Sequence, residues 1–244
     1  MTQGEGGRKL SAAGFDLAQG PVLPPAFVGL AAASPGAVRD VAIAAAAEGP
    51  GRLVWAEGGG RLAVAATLAA EEALATARRA HLASMAALAR AVAAVAAPER
   101  AVTIVWPDVL VYDVARLAAG WLAAPEGCAE GERPDWLVVG VEAIAARDHL
   151  AEPGRFPGST SLREEDLGPP RDLVELYASY LMQAFDRWEA QGFGAVARLF
   201  LERLAPPGGV LAPNGDLIGP RGLAPLCEAL AARAWAGPDG AVRL

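Results

Sequence analysis

Three short motifs in this chain carry side chains that could hold an organic acid or another anion. WPD at residues 106–108 joins an aromatic ring to the carboxylate of Asp108 at the end of a β-branched segment. Arg116 follows ten residues after the tryptophan, and its guanidinium could bind a carboxylate or phosphate through two parallel hydrogen bonds. Gly140 interrupts the apolar run at 136–141, and a glycine inside a strand marks a close approach by a ligand or by packing.

The basic residues limit the reactions that this chain could catalyse. Lys9 is the only lysine among the 244 residues, so the other fixed positive charges are arginines. Beyond the N-terminal region there is therefore no primary amine for a Schiff base, a P-loop or a catalytic ammonium group. The P-loop pattern and the glycine-rich dinucleotide fingerprint are also absent from the sequence. A cationic group in any site of this chain must be an arginine.

Composition excludes several classes of protein. Hydrophobic residues make up 53% of the chain and charged residues 20%, which predicts a packed core. The net charge of −7 disfavours binding to a nucleic-acid backbone, which needs a surplus of cations. No stretch has the length and apolar character of a membrane span, and residues 1–20 lack the apolar run of a signal peptide. These features predict a cytoplasmic protein that binds neither nucleic acid nor membrane.

The side chains that usually bind metals or form disulfides are scarce. Cys128 and Cys227 lie far apart and have no paired spacing, so no disulfide framework is indicated. His81 and His149 are the only histidines, too few and too scattered for a metal cluster. We expect no metal site built from the protein alone.

Helices and strands alternate along the chain. Residues 1–20 are expected to form a flexible tail, residues 21–205 one catalytic-size domain, and residues 210–244 a small C-terminal domain after the PPGG linker at 206–209. The periodicities predict helices at 38–47, 70–96, 172–191 and 193–204, and strands at 52–56, 61–68, 101–106, 109–112 and 136–141. The expected fold class is α/β, with a mixed sheet and flanking helices.

The order of these elements, together with four motifs, resembles the catalytic domain of the biotin- and lipoate-protein ligases. VWPDV at 105–109 stands where that family has Lys-Trp-Pro-Asn-Asp, and RLAA at 116–119 where it has Lys-Leu-Ala-Gly. VVGVE at 138–142 matches a Gly-Ile-Gly-Ile-Asn strand, and STSL at 159–162 an Ala-Thr-Ser-Leu loop. The resemblance covers roughly residues 25–205 and is closest to a divergent bacterial branch of unknown function.

Two departures from the family pattern concern the reacting groups. The family's Gly-Arg-Gly-Arg-x-Gly-Arg nucleotide loop is shortened to GPGR at 49–52, which leaves Arg52 as the candidate phosphate contact. The family's catalytic lysine is replaced by Arg116. Arginine keeps the positive charge, but its planar fork is bulkier and differs in geometry from an ammonium group.

The resemblance implies a function and a set of site residues. An active ligase would join a biotin-, lipoate- or fatty-acyl-type acid to AMP, using ATP and Mg²⁺, and then transfer it to a lysine of a carrier domain. A homodimer is one candidate for the assembly. The assigned residues are Arg116 as the catalytic group, Trp106, Pro107, Asp108 and Gly140 for the substrate, and Arg52 for the nucleotide.

Other interpretations of the same residues stay open. Without the nucleotide loop and the lysine, the chain could be a non-catalytic acid-binding or regulatory protein that kept the ligase fold. A thioester acyl transferase acting through Cys128 is a third hypothesis. Trp106 could instead be an ordinary core residue, and Arg52 and Arg116 solvated surface charges. Ser161 could cap the loop in which it lies.

Overall fold

The computed structural model describes residues 20–148, 150, 156–237 and 240–243. The tail predicted at 1–20 lies outside them except for Gly20, and Lys9 and His149 are likewise outside. None of the helices in this part of the chain has the length and apolar character needed to cross a membrane.

An eight-stranded mixed sheet forms the centre of the protein. Its strands, in chain order, are β1 (Val28–Ala31), β2 (Arg52–Gly58), β3 (Arg61–Leu68), β4 (Val102–Val105), β5 (Val109–Tyr112), β6 (Ala115–Ala123), β7 (Leu137–Ile144) and β8 (Leu204–Ala205). They lie side by side in the order β1-β2-β3-β7-β6-β5-β4-β8. The edge pairs β1–β2 and β4–β8 are parallel, and the inner pairs are antiparallel. The predicted mixed sheet is confirmed.

Helices flank the sheet, as predicted. They are α1 (Val38–Ala46), α2 (Leu74–Ala77), α3 (Ala80–Val95), α4 (Pro170–Gln191), α5 (Phe193–Leu201) and α6 (Leu226–Ala232). The apolar sides of α3, α4 and α5 form the main core against one face of the sheet, which we call the helical face. This core supplies the driving force for folding, because it removes most of the large aliphatic and aromatic side chains from water.

The single helix predicted at 70–96 is replaced by α2 and α3, which begin later. Ala73 is extended, with φ −60° and ψ 150°. The backbone N–H groups of Leu74 and Ala75 donate to the carbonyls of Glu132 and Glu130, at 2.7 and 3.0 Å. A tertiary contact with the loop before β7 therefore satisfies backbone groups that periodicity alone assigned to a longer helix.

The opposite face of the sheet, which we call the α1 face, has a floor of small side chains. Its central positions are mostly alanine and valine, and they leave room for other elements to approach closely. Helix α1 covers the part over β2, β3 and β7. The buried sheet residues on this face are Val54, Ala56, Ala63, Ala65, Ala119, Trp121, Ala123, Val138 and Ile144.

The region after β8 forms a small sheet and then returns to the large one. Strands β9 (Val210–Leu211), β10 (Leu217–Gly219) and β11 (Gly222–Ala224) pair antiparallel in the order β11-β10-β9, and α6 follows. Residues 233–237 and 240–243, which we call the C-terminal segment, then lie on the α1 face. Trp235 and Val242 of this segment are 1% and 2% exposed. The C-terminal segment thus belongs to the packing of the main domain.

Candidate functional site

Arg116 lies at the start of β6 on the α1 face. It pairs with Val111 of β5, whereas Leu110 pairs with Ala118, so the register shifts at Leu117. This bulge directs Leu117 and Ala118 together into the helical-face core. Because paired residues share a face of the sheet, Arg116 lies on the face of Val111, opposite that core.

The guanidinium of Arg116 is only partly satisfied. Its Nη1 donates to the backbone carbonyl of Arg243 at 2.7 Å, and its Nε is buried without a hydrogen-bond partner. No carboxylate forms an ion pair with it in the part of the chain that the structure describes. Burial, and then the nearby charge of Arg243, lower the pKa of Arg116. An anion at this position would supply both the missing acceptor and the missing counter-charge.

A loop clamps the backbone of Arg116 from one side. The N–H of Arg116 donates to the carbonyl of Gly158, and the N–H of Thr160 donates to the carbonyl of Arg116, each at 2.9 Å. The hydroxyls of this loop are engaged within it: Thr160 donates to Glu165 at 2.6 Å, and Ser161 to Glu164 at 2.9 Å. The STSL motif therefore positions Arg116 through its backbone.

Arg147 holds that loop in place, and nothing in the sequence singles it out. Its side chain forms a two-pronged ion pair with Glu164, with N···O distances of 2.7 and 2.9 Å. Its Nη1 also donates to the carbonyl of Phe156 at 3.0 Å and to the hydroxyl of Ser159 at 3.1 Å. The hydrogen bonds from Arg147 are the main reason that the pKa of Glu164 is lowered.

Asp108 is a buried carboxyl group on the C-terminal segment's side of the sheet. It is 3% exposed, and its Oδ2 accepts a hydrogen bond of 2.7 Å from the indole Nε1 of Trp235. Burial raises the pKa of Asp108 to about 7, against the opposing effects of Trp235 and Arg233. We therefore expect this carboxyl group to titrate near neutral pH.

We expect the stability of the protein to fall between pH 5 and pH 8 because of Asp108. Its folded pKa of about 7 lies above the ordinary value of 3.8 for an aspartate, so the folded state binds the proton more tightly than the unfolded state. The resulting stabilisation is complete below the lower value and is lost as the pH rises through the higher one. Over this range the loss is about 2 to 3 kcal/mol.

The contribution of Asp108 to stability can be measured by denaturant unfolding of the wild type and of Asp108→Asn at pH 5 and at pH 8. The asparagine can still accept the hydrogen bond of Trp235 but has no proton to lose in this range. The stability difference between the two proteins should therefore change with pH by the stated amount. Parallel pH profiles would mean that Asp108 titrates normally.

The other two residues of the WPD motif point into different surroundings. Trp106 meets Phe200 of α5 edge-on, with ring centroids 5.9 Å apart, beside the helical-face core. Its Nε1 is buried and has no hydrogen-bond partner. Pro107 is buried and follows a cis peptide bond. The structure brings Asp108 to the C-terminal segment but places Trp106 against the helices.

Gly140 is closely approached by a side chain of this same protein. It pairs with Trp121 of β6, and the indole ring lies directly above it. A Cβ on Gly140 would be 2.8 Å from Cη2 of that ring and closer still to Cζ2 and Cε2. The guanidinium of Arg39 stacks on the ring of Trp121, 4.8 Å from its centroid. Glycine is thus required at position 140, because any side chain there would collide with the ring of Trp121.

Arg52 lies far from Arg116. Cross-strand pairing leads from Leu53, the residue after Arg52, across β3 and β7 to Leu122 of β6. Leu122 is six residues beyond Arg116 (122 − 116 = 6), which is roughly 20 Å along the strand, and three strand spacings add to this. Arg52 is instead 3.7 Å from Glu48. The two arginines cannot contact one phosphate group together.

A separate apolar cleft lies at the Arg52 end of the protein. Its volume is about 610 Å³, and Phe27, Phe185 and Trp188 contribute to its wall. Several carboxylates also line it: Glu71, Glu72, Asp186 and Glu189. An anionic head group would be repelled there, so this cleft is a poor site for a carboxylic acid.

Cys128 has surroundings that do not favour a nucleophile. It lies in the loop before β7, and its Sγ is 3.7 and 3.8 Å from the carbonyl oxygens of Ala129 and Glu132. His81 is fully buried on α3, where burial lowers its pKa to about 4. Within the described residues, no three His, Cys, Asp or Glu side chains are grouped so as to hold a metal ion.

The fold and the matched sequence together define the class of protein. The mixed sheet with flanking helices is that of a biotin protein ligase catalytic domain. A family model described as "Biotin/lipoate A/B protein ligase family" matches residues 23–202. The chain belongs to this family, as its motifs predicted.

Similar solved structures give the same fold. A biotin protein ligase-like protein of unknown function from a Silicibacter species is 24% identical, with a TM-score of 0.75 over 86% of this chain and 99% of that one. The apo biotin protein ligase of Aquifex aeolicus is 11% identical, with a TM-score of 0.59 over 80% and 92%. The Leishmania major enzyme in complex with biotin is 19% identical, with a TM-score of 0.52 over 80% and 94%. No curated protein sequence matches the chain.

Proposed function

We propose that this protein binds a biotin-, lipoate- or fatty-acyl-type carboxylic acid on the α1 face, with the carboxylate on Arg116. One observation carries the proposal: Arg116 is partly buried on this face, has no ion pair in the described part of the chain, and keeps a buried Nε without an acceptor. A buried donor without an acceptor is unfavourable by about 1–3 kcal/mol. A carboxylate would remove that penalty and neutralise the charge.

Binding without adenylation is the reading that the geometry supports best. The nucleotide loop of the family is reduced to four residues at 49–52. Its remaining cation, Arg52, is at least roughly 20 Å from Arg116 by strand register. A phosphate placed next to an acid on Arg116 would therefore have no help from Arg52. The surroundings of the site would be shaped by residues that need not contact the acid: Trp106, Pro107, Asp108 and Gly140.

A second candidate is the full ligase reaction, in which ATP activates the acid and the acyl group passes to a carrier-protein lysine. Two observations favour it. Arg39 and Arg233 lie close enough for their charges to interact, on the same face as Arg116, and could neutralise phosphates in place of Arg52. A biotin protein ligase of this fold, from Aquifex aeolicus, was solved with biotin and ATP. Mg²⁺ would then enter bound to the phosphates, and a cytoplasmic location and a homodimer would fit this role.

Arg116→Ala should weaken binding of the acid by about 30- to 140-fold, because it removes a charge-assisted hydrogen bond worth about 2–3 kcal/mol. The measurement is isothermal calorimetry with biotin, lipoate and octanoate, with and without ATP and Mg²⁺. Arg52→Ala is the matched control and should leave acid binding unchanged. Equal affinity of the Arg116→Ala variant and the wild type would refute the site.

Pyrophosphate release separates the two candidates. Acid binding without acid-dependent release supports the binding protein. Release that disappears in Arg116→Ala supports the ligase, and Arg116→Lys, which restores the family's residue, should then retain it. Release that survives in Arg116→Ala would assign the chemistry to another group.

A further inference from the structure

The C-terminal segment lies on the α1 face, where the proposed acid would bind, and it contacts Arg116 itself. It makes a polar contact with each of three residues there: Trp235 donates to Asp108, the N–H of Val242 donates to Glu142 at 3.1 Å, and Arg116 donates to the carbonyl of Arg243. In sequence these partners are 100 or 127 residues apart. The segment thus forms a cover over β6 and its neighbours.

The contact at Arg116 resembles a substrate contact in weaker form. The carbonyl oxygen of Arg243 accepts from Nη1 of Arg116 at 2.7 Å, where an oxygen of a carboxylate would also accept. A carbonyl is neutral, whereas a carboxylate offers two oxygens and a full negative charge. A carboxylic acid is therefore the better partner for this guanidinium, and the two cannot both use Nη1 in the same geometry.

The closed form also brings like charges close together. Burial is the main reason that the pKa values of Arg116 and Arg39 are lowered, and the nearby charges of Arg243 and Arg233 lower them further. Like charges that face each other destabilise the closed form. Departure of the segment removes Arg233 and Arg243 from this group of four cations and relieves the repulsion, and the acid can then replace the carbonyl of Arg243 as the partner of Arg116.

The segment is attached in a way that allows it to leave as a unit. It is closed on itself by the N–H of Arg243 donating to Trp235 at 2.9 Å and by the isolated bridge between Ala236 and Val242. It adds no strand to the large sheet. Arg233, where α6 ends, has a left-handed backbone with φ 40°, a conformation that is unfavourable for a residue with a Cβ, and residues at the ends of elements are where hinge motions commonly occur.

We propose that the C-terminal segment is a displaceable cover of the acid site, and that an acid binds Arg116 only when the segment has moved away. This inference rests on the proposed function, because it concerns regulation of the same site. The apparent affinity for the acid is then the affinity of the open form multiplied by the fraction of molecules that are open. Any change that loosens the segment without touching Arg116 should therefore tighten binding.

Hydrogen exchange on the full-length wild type tests the cover directly. Amide exchange is followed in peptides that span residues 233–243, with and without saturating octanoate, lipoate or biotin. The expected result is faster exchange in this segment when the acid is bound. Slower or unchanged exchange, with an acid bound on Arg116, would overturn the cover and leave the proposed function intact.

Trp235→Ala provides the second test, by calorimetry with the same three acids. Loss of the buried indole should open the segment and tighten binding by at least about fivefold. Trp136→Ala is the control, because Trp136 packs against the same cluster from outside the segment, and its affinity should stay at the wild-type value. Binding in Trp235→Ala alone would also support the cover. An absence of binding in both the wild type and Trp235→Ala would refute the acid site and the cover with it.

Discussion

Glu164→Ala is expected to lower the free energy of unfolding by about 3 kcal/mol, a value discounted because the Glu164 side chain is 34% exposed. The side chain of Arg147 is 9% exposed, so the variant leaves a nearly buried cation whose remaining partners are the neutral oxygens of Phe156 and Ser159. Removal of one partner of a buried pair is destabilising because the other charge stays desolvated. Denaturant unfolding at pH 7 measures the effect.

The same variant should also weaken binding of the acid, because the loop held by Arg147 clamps the backbone of Arg116. Asp148→Ala is the matched control. Asp148 pairs with Arg163 near the same loop, but the two side chains are 63% and 66% exposed, so its effect should stay below about 1 kcal/mol. Equal losses of unfolding free energy in Glu164→Ala and Asp148→Ala would show that the burial of Arg147 does not make the loss of its partner more destabilising.

Gly140→Ala is expected to destabilise the protein by about 3 kcal/mol, at the upper end of the range for an added methyl group in a packed core. The new Cβ would collide with the ring of Trp121, which is held between Gly140 and the guanidinium of Arg39. The ring has little room to shift, because Trp121 is 7% exposed. Thermal and denaturant unfolding measure the loss.

Gly58→Ala is the control for this substitution, because Gly58 lies in the same sheet and a Cβ there would be at an ordinary 3.6 Å from Cδ of Pro35. The double variant Gly140→Ala/Trp121→Leu should be more stable than the two single effects predict when added, since the smaller side chain removes the collision. If the two effects simply add, the ring of Trp121 does not cause the requirement for glycine.

Much of the fold could be predicted from local patterns. The hairpin of β2 and β3, strands β5 and β7, and helices α4 and α5 all have clear periodicity or turn signals, and they appear within a few residues of their predicted bounds. Strand β6 was not predicted, because its sequence, ARLAAGWLA, is rich in alanine and lacks β-branched residues. It becomes a strand because β5 and β7 pair with it on both sides.

The candidate site was only partly accessible from the sequence. The motifs locate Arg116, Asp108 and Gly140, but they do not say which face of the sheet each side chain occupies. The bulge at Leu117 decides this for Arg116, and a bulge leaves no reliable mark in a single sequence. Nor could spacing show that Arg52 lies at the far end of the sheet, since that depends on the register of four strands.

The family and the available chemistry can be inferred from the sequence alone. Four motifs in a fixed order identify the ligase fold, and the single lysine at position 9 leaves arginine as the available cation. Long-range packing establishes that Trp121 fills the space above Gly140 and that Trp235 and Arg243 cover the face of Arg116. The reason is physical: these contacts join residues up to 127 positions apart, and their free energy depends on packing and desolvation that no local pattern encodes.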